Sequence, residues 1–195
     1  MLSALSGRGR DMTGLALHGF GERLRPVVWG GAACLLLAPW VAMRLGADGV
    51  HWTAADFVVM GLLLAAACGL YELGMRLDRR LPYRLGFWLA TLTGFLTIWV
   101  NLAVGMLGSE GHPANLMFAG VLAIAGLGAL LAWFRAPGMA KAMLGAGIAH
   151  ALAVAVAVPM GFEVRELVFT AMFALPWLAA AAMFHAAGRV DAASG

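Results

Sequence analysis

The chain has little charge, a single lysine, two cysteines and no polar–apolar alternation of strand length. Charged residues make up 12% of its 195 residues and hydrophobic ones 63%, against about 25% and about 45–50% in soluble domains. With a mean hydropathy of +0.87, this leaves little room for a separate soluble domain, and one compact helical bundle is expected. A transmembrane β-barrel needs alternating segments of about ten residues, whereas the apolar runs here continue for about twenty, so the barrel is excluded. Cys34 and Cys68 both fall inside apolar runs, without CxxC or Cys/His spacing. They read as small buried hydrophobes rather than a disulfide or a metal pair. Ser3, Ser6, Ser109 and Ser194 are terminal or in a loop, and neither Gly-x-Ser-x-Gly nor His-Glu-x-x-His occurs. No catalytic residue is identified, and an enzyme is not the expected reading.

What the chain does have is six long apolar runs. The spans are expected at about 26–45, 54–76, 83–107, 115–134, 138–158 and 166–187, each long enough to cross the hydrocarbon layer as a helix. Residues 1–25 read as a polar tail, with Met1 or Met12 as its start, and 188–195 as a second tail. Pro26 suits a first helical turn, and Thr53 with Asp56 three residues later forms a capping-box pattern at the start of the second span.

The cations are distributed unevenly over the loops. Arg8, Arg10, Arg23, Arg25, Arg76, Arg79, Arg80, Arg84, Arg135, Lys141 and Arg189 belong to one side, and only Arg44 and Arg165 to the other. Cationic loops stay cytoplasmic, so both termini are expected inside. The same rule accounts for the pI near 9.4 without nucleic acid as a partner. Arginine in place of lysine, with much alanine and glycine, is the bias of a GC-rich bacterial genome. A multi-pass protein of the bacterial inner membrane is therefore expected. The fold class is all-α, a bundle of six transmembrane helices with N-in/C-in topology. Its company is the lipid bilayer, with a homo-oligomer or a membrane partner as further candidates.

A few residues break the apolar rule. His150 lies on the fifth span in register with Ala142, Ala146, Ala153 and Ala157, facing a neighbouring helix about 17 Å from the cytoplasmic end. Pro176 reaches a similar depth on the sixth span and deprives the Met172 carbonyl of its helical donor. Thr93 and Thr97 on the third span arrive at comparable depth. A midplane layer of histidine, hydroxyls and a freed carbonyl is a place where ions, protons or small polar substrates bind. A purely structural bond from His150 to that carbonyl or to a threonine is the alternative. Glu72 sits one turn before Arg76, with Arg84 as a second candidate partner. Asn101, toward the outer end of its span, is placed to bond across helices. The third span also carries a stripe of small residues that includes Gly86, Ala90 and Gly94, suited to close helix packing. Trp29, Trp88 and Trp133 mark the cytoplasmic interface and Trp52 the outer one.

No metal or cofactor is called for. The outward histidines, acids and methionines have no repeating spacing. His185 and His150 differ in depth by about 12 Å along the membrane normal, which disfavours a haem between them.

The segment Trp99-Val-Asn-Leu-Ala-Val-Gly-Met-Leu-Gly-Ser-Glu-Gly-His-Pro-Ala-Asn-Leu-Met-Phe118 resembles one found in small, uncharacterised multi-pass membrane proteins of bacteria. In those proteins an Asn-x-Ala-Val-Gly run leads to Gly-Ser-Glu and then Pro-Ala-Asn-Leu. The resemblance implies membership without an assigned activity. It draws attention to Ser109, Glu110, His112 and Asn115 in the outer turn, where Pro113 can begin a helix and Glu110 or Asn115 can satisfy its free N–H groups. The leading functional expectation is a small permease-like or ion/proton-handling protein. The alternative is a non-catalytic membrane scaffold or regulatory interaction protein.

Overall fold

A computed structural model describes residues 25–192. Most of the expected N-terminal tail, the choice of start methionine and residues 193–195 lie outside the described residues. Seven α-helices follow in order: α1 Arg25–Arg44, α2 Ala54–Leu77, α3 Leu81–Ala103, α4 Leu116–Leu131, α5 Ala136–Ala157, α6 Val164–Met172 and α7 Ala174–Ala192. Short 3-10 turns occupy Pro113–Asn115 and Val158–Met160, and among the described residues there is no strand. α6 and α7 together make one span, so six segments are long and apolar enough to cross a membrane. The fold is all-α and polytopic, that of a multi-pass membrane protein.

The chain divides into two compact units, with the boundary between Met75 and Arg76. In the first, α1 and α2 are joined by a turn in which Gly46 and Gly49 adopt positive φ (69° and 83°). The reciprocal cap at the start of α2 forms: the Thr53 N–H donates to the Asp56 carboxylate at 2.7 Å, and the Asp56 N–H donates to the Thr53 hydroxyl at 3.4 Å. Cys34 is exposed and Cys68 buried, so only the second behaves as a core residue. The exposed Cys34 lies on a helix whose most apolar window has no buried residue.

In the second unit α7 packs against both α3 and α5, and α4 packs against α5. Small residues make this possible, because helices approach closely only where no Cβ intervenes. A Cβ on Gly86 would come within 3.1 Å of Met183 Cβ and 3.3 Å of the Ala180 carbonyl oxygen. One on Gly147 would lie 2.7 Å from Leu178 Cδ2, and one on Gly128 2.7 Å from Ala142 Cβ. The small-residue stripe of α3 thus faces α7. Trp177, Phe184, Ala180 and Ala187 of α7 are buried within the unit.

The two ends of this unit differ. At one, Arg80 clasps Asp78 through its guanidinium and donates to the Ala187 carbonyl at 2.7 Å. Arg84 Nε donates to the Asp78 carbonyl at 2.8 Å, and the Tyr83 hydroxyl donates to the Phe134 carbonyl at 2.6 Å. This basic end is tied by side chains that cap main-chain carbonyls. The other end is a folded loop between α3 and α4.

Candidate functional site

That loop is built around Asn115. Its Oδ1 accepts from the N–H groups of both Met106 and Leu107 at 3.0 Å. Its Nδ2 donates to the carbonyls of Ser109 at 2.8 Å and Leu107 at 3.2 Å. One buried side chain therefore replaces the backbone partners that residues 106–109 forgo by leaving the helix, which meets the requirement that buried peptide groups be paired. The chain can turn inward here because Gly105 adopts φ 77°, where a Cβ would sit 2.6 Å from the Ser109 carbonyl. This turn ends α3 at Ala103 rather than near residue 107. His112 Nδ1 accepts from the Ala114 N–H at 3.2 Å, capping the 3-10 turn that leads into α4. The Glu166 carboxylate, not Glu110, reaches the loop backbone, accepting from the Gly108 N–H at 3.3 Å. Ser109 and Glu110 are exposed; of the Ser109 groups, the carbonyl is the one engaged.

A chain of buried bonds runs inward from this loop. The Thr170 hydroxyl donates to the Met106 carbonyl at 2.7 Å, and the Thr170 carbonyl lies 2.9 Å from His150 Nε2. A carbonyl can only accept, so the proton of a neutral His150 resides on Nε2 and the Nδ1 lone pair is left free. Nδ1 is buried without a hydrogen-bond partner. The whole residue is 0% exposed, with the Phe118 ring 5.0 Å away and the Phe173 ring stacked at 6.2 Å.

Thr170 is available because the sixth span is broken. Pro176 supplies no N–H, and the chain leaves the α-helix at Phe173, whose N–H turns back to the Thr170 carbonyl at 3.1 Å. His150 bonds the Thr170 carbonyl, two residues before that of Met172, where a free acceptor was expected. Pro176 then falls in the first turn of α7, a position that tolerates its missing donor. Thr170 escaped the sequence reading, although it is the only hydroxyl residue of the sixth span.

The other expected site residues lie elsewhere. Thr93 and Thr97 are buried, and each donates to a carbonyl of its own helix, Leu89 at 2.6 Å and Thr93 at 2.8 Å. Back-bonding of this kind satisfies the hydroxyl locally. His150 lies on α5, seven residues before its end at Ala157 and two residues past the middle of the apolar span Ala136–Met160. Asn101 is half-buried, and its Oδ1 has no partner. Glu72 belongs to the first unit, where Arg25 grips it with two hydrogen bonds of 2.8 and 2.5 Å and Trp29 Nε1 donates at 3.3 Å. The bidentate partner is thus a residue 47 positions away in sequence, one that spacing along a single helix does not suggest. Among the described residues no three His, Cys, Asp or Glu side chains come together as metal ligands would.

The site is therefore a buried imidazole held at a helix break, tied by Thr170 to a loop organised by Asn115. Chemically it offers one lone pair in apolar surroundings, able to take a proton or accept from a polar guest. No protein-family profile, curated protein or solved structure matches the chain.

Proposed function

We propose that the protein is a small permease-like or ion/proton-handling protein of a bacterial inner membrane, with both termini cytoplasmic and His150 at its working site. The observation that carries this reading is the His150 Nδ1, fully buried and unpaired beside a discontinuous span. Ionisable residues inside membrane segments mark ion and proton routes, and broken helices frame the binding sites of many transporters. Leaving such an atom unpaired costs about 1–3 kcal/mol, a cost that a proton or a polar guest would relieve. Trp177 Nε1 and Asn101 Oδ1, also buried without partners in this unit, add a donor and an acceptor of the same kind. The positive-inside distribution of arginine supports the orientation. The Asn101–Asn115 segment supports kinship with small multi-pass bacterial proteins.

Dissipation of an imposed pH gradient in proteoliposomes tests the reading. The protein is expected to accelerate it over empty vesicles, and His150→Gln to abolish the acceleration while the melting transition persists. Equal rates with and without the protein, or a His150→Gln variant as fast as the parent, would sink it.

A non-transporting scaffold or regulatory partner is the second reading. It is favoured by α1, which presents Val27, Trp29, Leu35, Leu37, Trp40 and Val41 on its surface. Co-purification of a stoichiometric membrane partner, with no gradient dissipation, would point to it.

A further inference from the structure

The basic end of the second unit carries a feature that the His150 site does not use. Just past the end of α4, two consecutive aromatic residues adopt the left-handed region, Trp133 at φ 48° and Phe134 at φ 57°. L-residues with side chains rarely adopt that conformation, and it persists only where the surroundings hold it. Here the Phe134 N–H bonds the Ala129 carbonyl at 3.1 Å, and the Phe134 carbonyl accepts from Tyr83. The Phe134 ring lies 6.3 Å from Phe87. With Phe134 held inward, Trp133 is left 84% exposed beside Leu131 at 82%.

Cations follow the same turn along the chain and stand at the end of α7. Arg135 follows directly, and Lys141 lies on the next helix; both are exposed. Gly188 of α7 abuts Pro137 of α5, with a Cβ there 3.4 Å from Pro137 Cγ, which brings exposed Arg189 alongside. Among the described side chains, the Asp78 carboxylate at this end is already occupied by Arg80. Arg135, Lys141 and Arg189 thus remain available to an anion, next to apolar side chains that face outward.

We propose that this end binds an anionic phospholipid, its phosphate held by Arg135, Lys141 and Arg189 and its upper acyl chain and glycerol region lying against Trp133 and Leu131. A free phosphate would have no use for the exposed tryptophan and leucine, whereas an amphiphile satisfies both parts. Tryptophan favours the headgroup level, and each basic side chain near an anionic surface contributes about a fivefold gain in affinity. The strained turn is what directs Trp133 to that level.

Thermal shift and native mass spectrometry of the full-length detergent-solubilised protein test this. Phosphatidylglycerol is expected to raise the melting temperature and to remain bound in the gas phase, while phosphatidylcholine and inorganic phosphate do neither. Arg135→Gln and Arg189→Gln are each expected to weaken phosphatidylglycerol binding about fivefold. Trp133→Ser lowers retention at unchanged charge, and Arg165→Gln, at the far end of the unit, leaves binding unaltered. Equal effects of the two phospholipids, an equal effect of inorganic phosphate, or an Arg165→Gln loss as large as that of Arg135→Gln would each overturn the proposal. The parent titration decides the matter even where a variant fails to fold.

Discussion

Asn115 shows how much one side chain can organise inside an apolar protein. It pairs four main-chain groups of residues 106–109, of which the Ser109 carbonyl also accepts from the His112 N–H. Asn115→Ala is expected to lower stability by about 2–4 kcal/mol, since each orphaned buried group costs about 1–3 kcal/mol with partial relief from water. Denaturation in detergent measures the loss, and hydrogen exchange should show faster exchange at Met106 and Leu107. An unchanged exchange rate there would remove Asn115 from its organising role. That an asparagine mattered in the turn was legible from its place two residues after Pro113. The direction of its bonds was not, because they run back to a loop whose inward path depends on the φ of Gly105. His150 was legible for the same reason, a polar residue in an apolar register. Its partner was not, because which carbonyl a broken helix exposes depends on where the break falls.

At the scale of elements, helix ends carry most of the specific chemistry. The reciprocal Thr53–Asp56 cap could be read from spacing, since both partners lie within one turn. The Asp78–Arg80 clasp between α2 and α3 could not, as it also involves Ala187 from the last helix. Burial pushes the Asp78 carboxyl up, but hydrogen bonds from the Arg80 side chain and N–H, with the Arg80 and Arg84 charges, outweigh it and hold the carboxyl below its ordinary value of 3.8. A carboxylate depressed in the folded state contributes stability above its unfolded value and loses it as pH falls through the folded one. The parent protein is therefore expected to lose melting temperature as pH drops below 3.8, and Asp78→Asn to show a shallower loss over the same window. Parallel curves would show that this clasp contributes nothing to acid sensitivity.

For the whole molecule, charge and hydropathy set the frame and close packing sets the contents. The arginine distribution predicts cytoplasmic termini. Reporters fused after residue 195 should fluoresce as a cytoplasmic protein does, while an alkaline phosphatase fusion there stays inactive. Active phosphatase would reverse the orientation and with it the face assigned to every loop.

Six apolar helices, their approximate limits and the basic bias of alternate loops followed from the sequence alone, because the cost of placing charge in hydrocarbon acts on each segment independently of its neighbours. The division into two units, the pairing of Glu72 with Arg25 and the bond of His150 to Thr170 were decided only by tertiary structure. Each depends on which helix faces which, and in an apolar environment that choice is made by small-residue contacts and a few long-range hydrogen bonds that no single segment encodes.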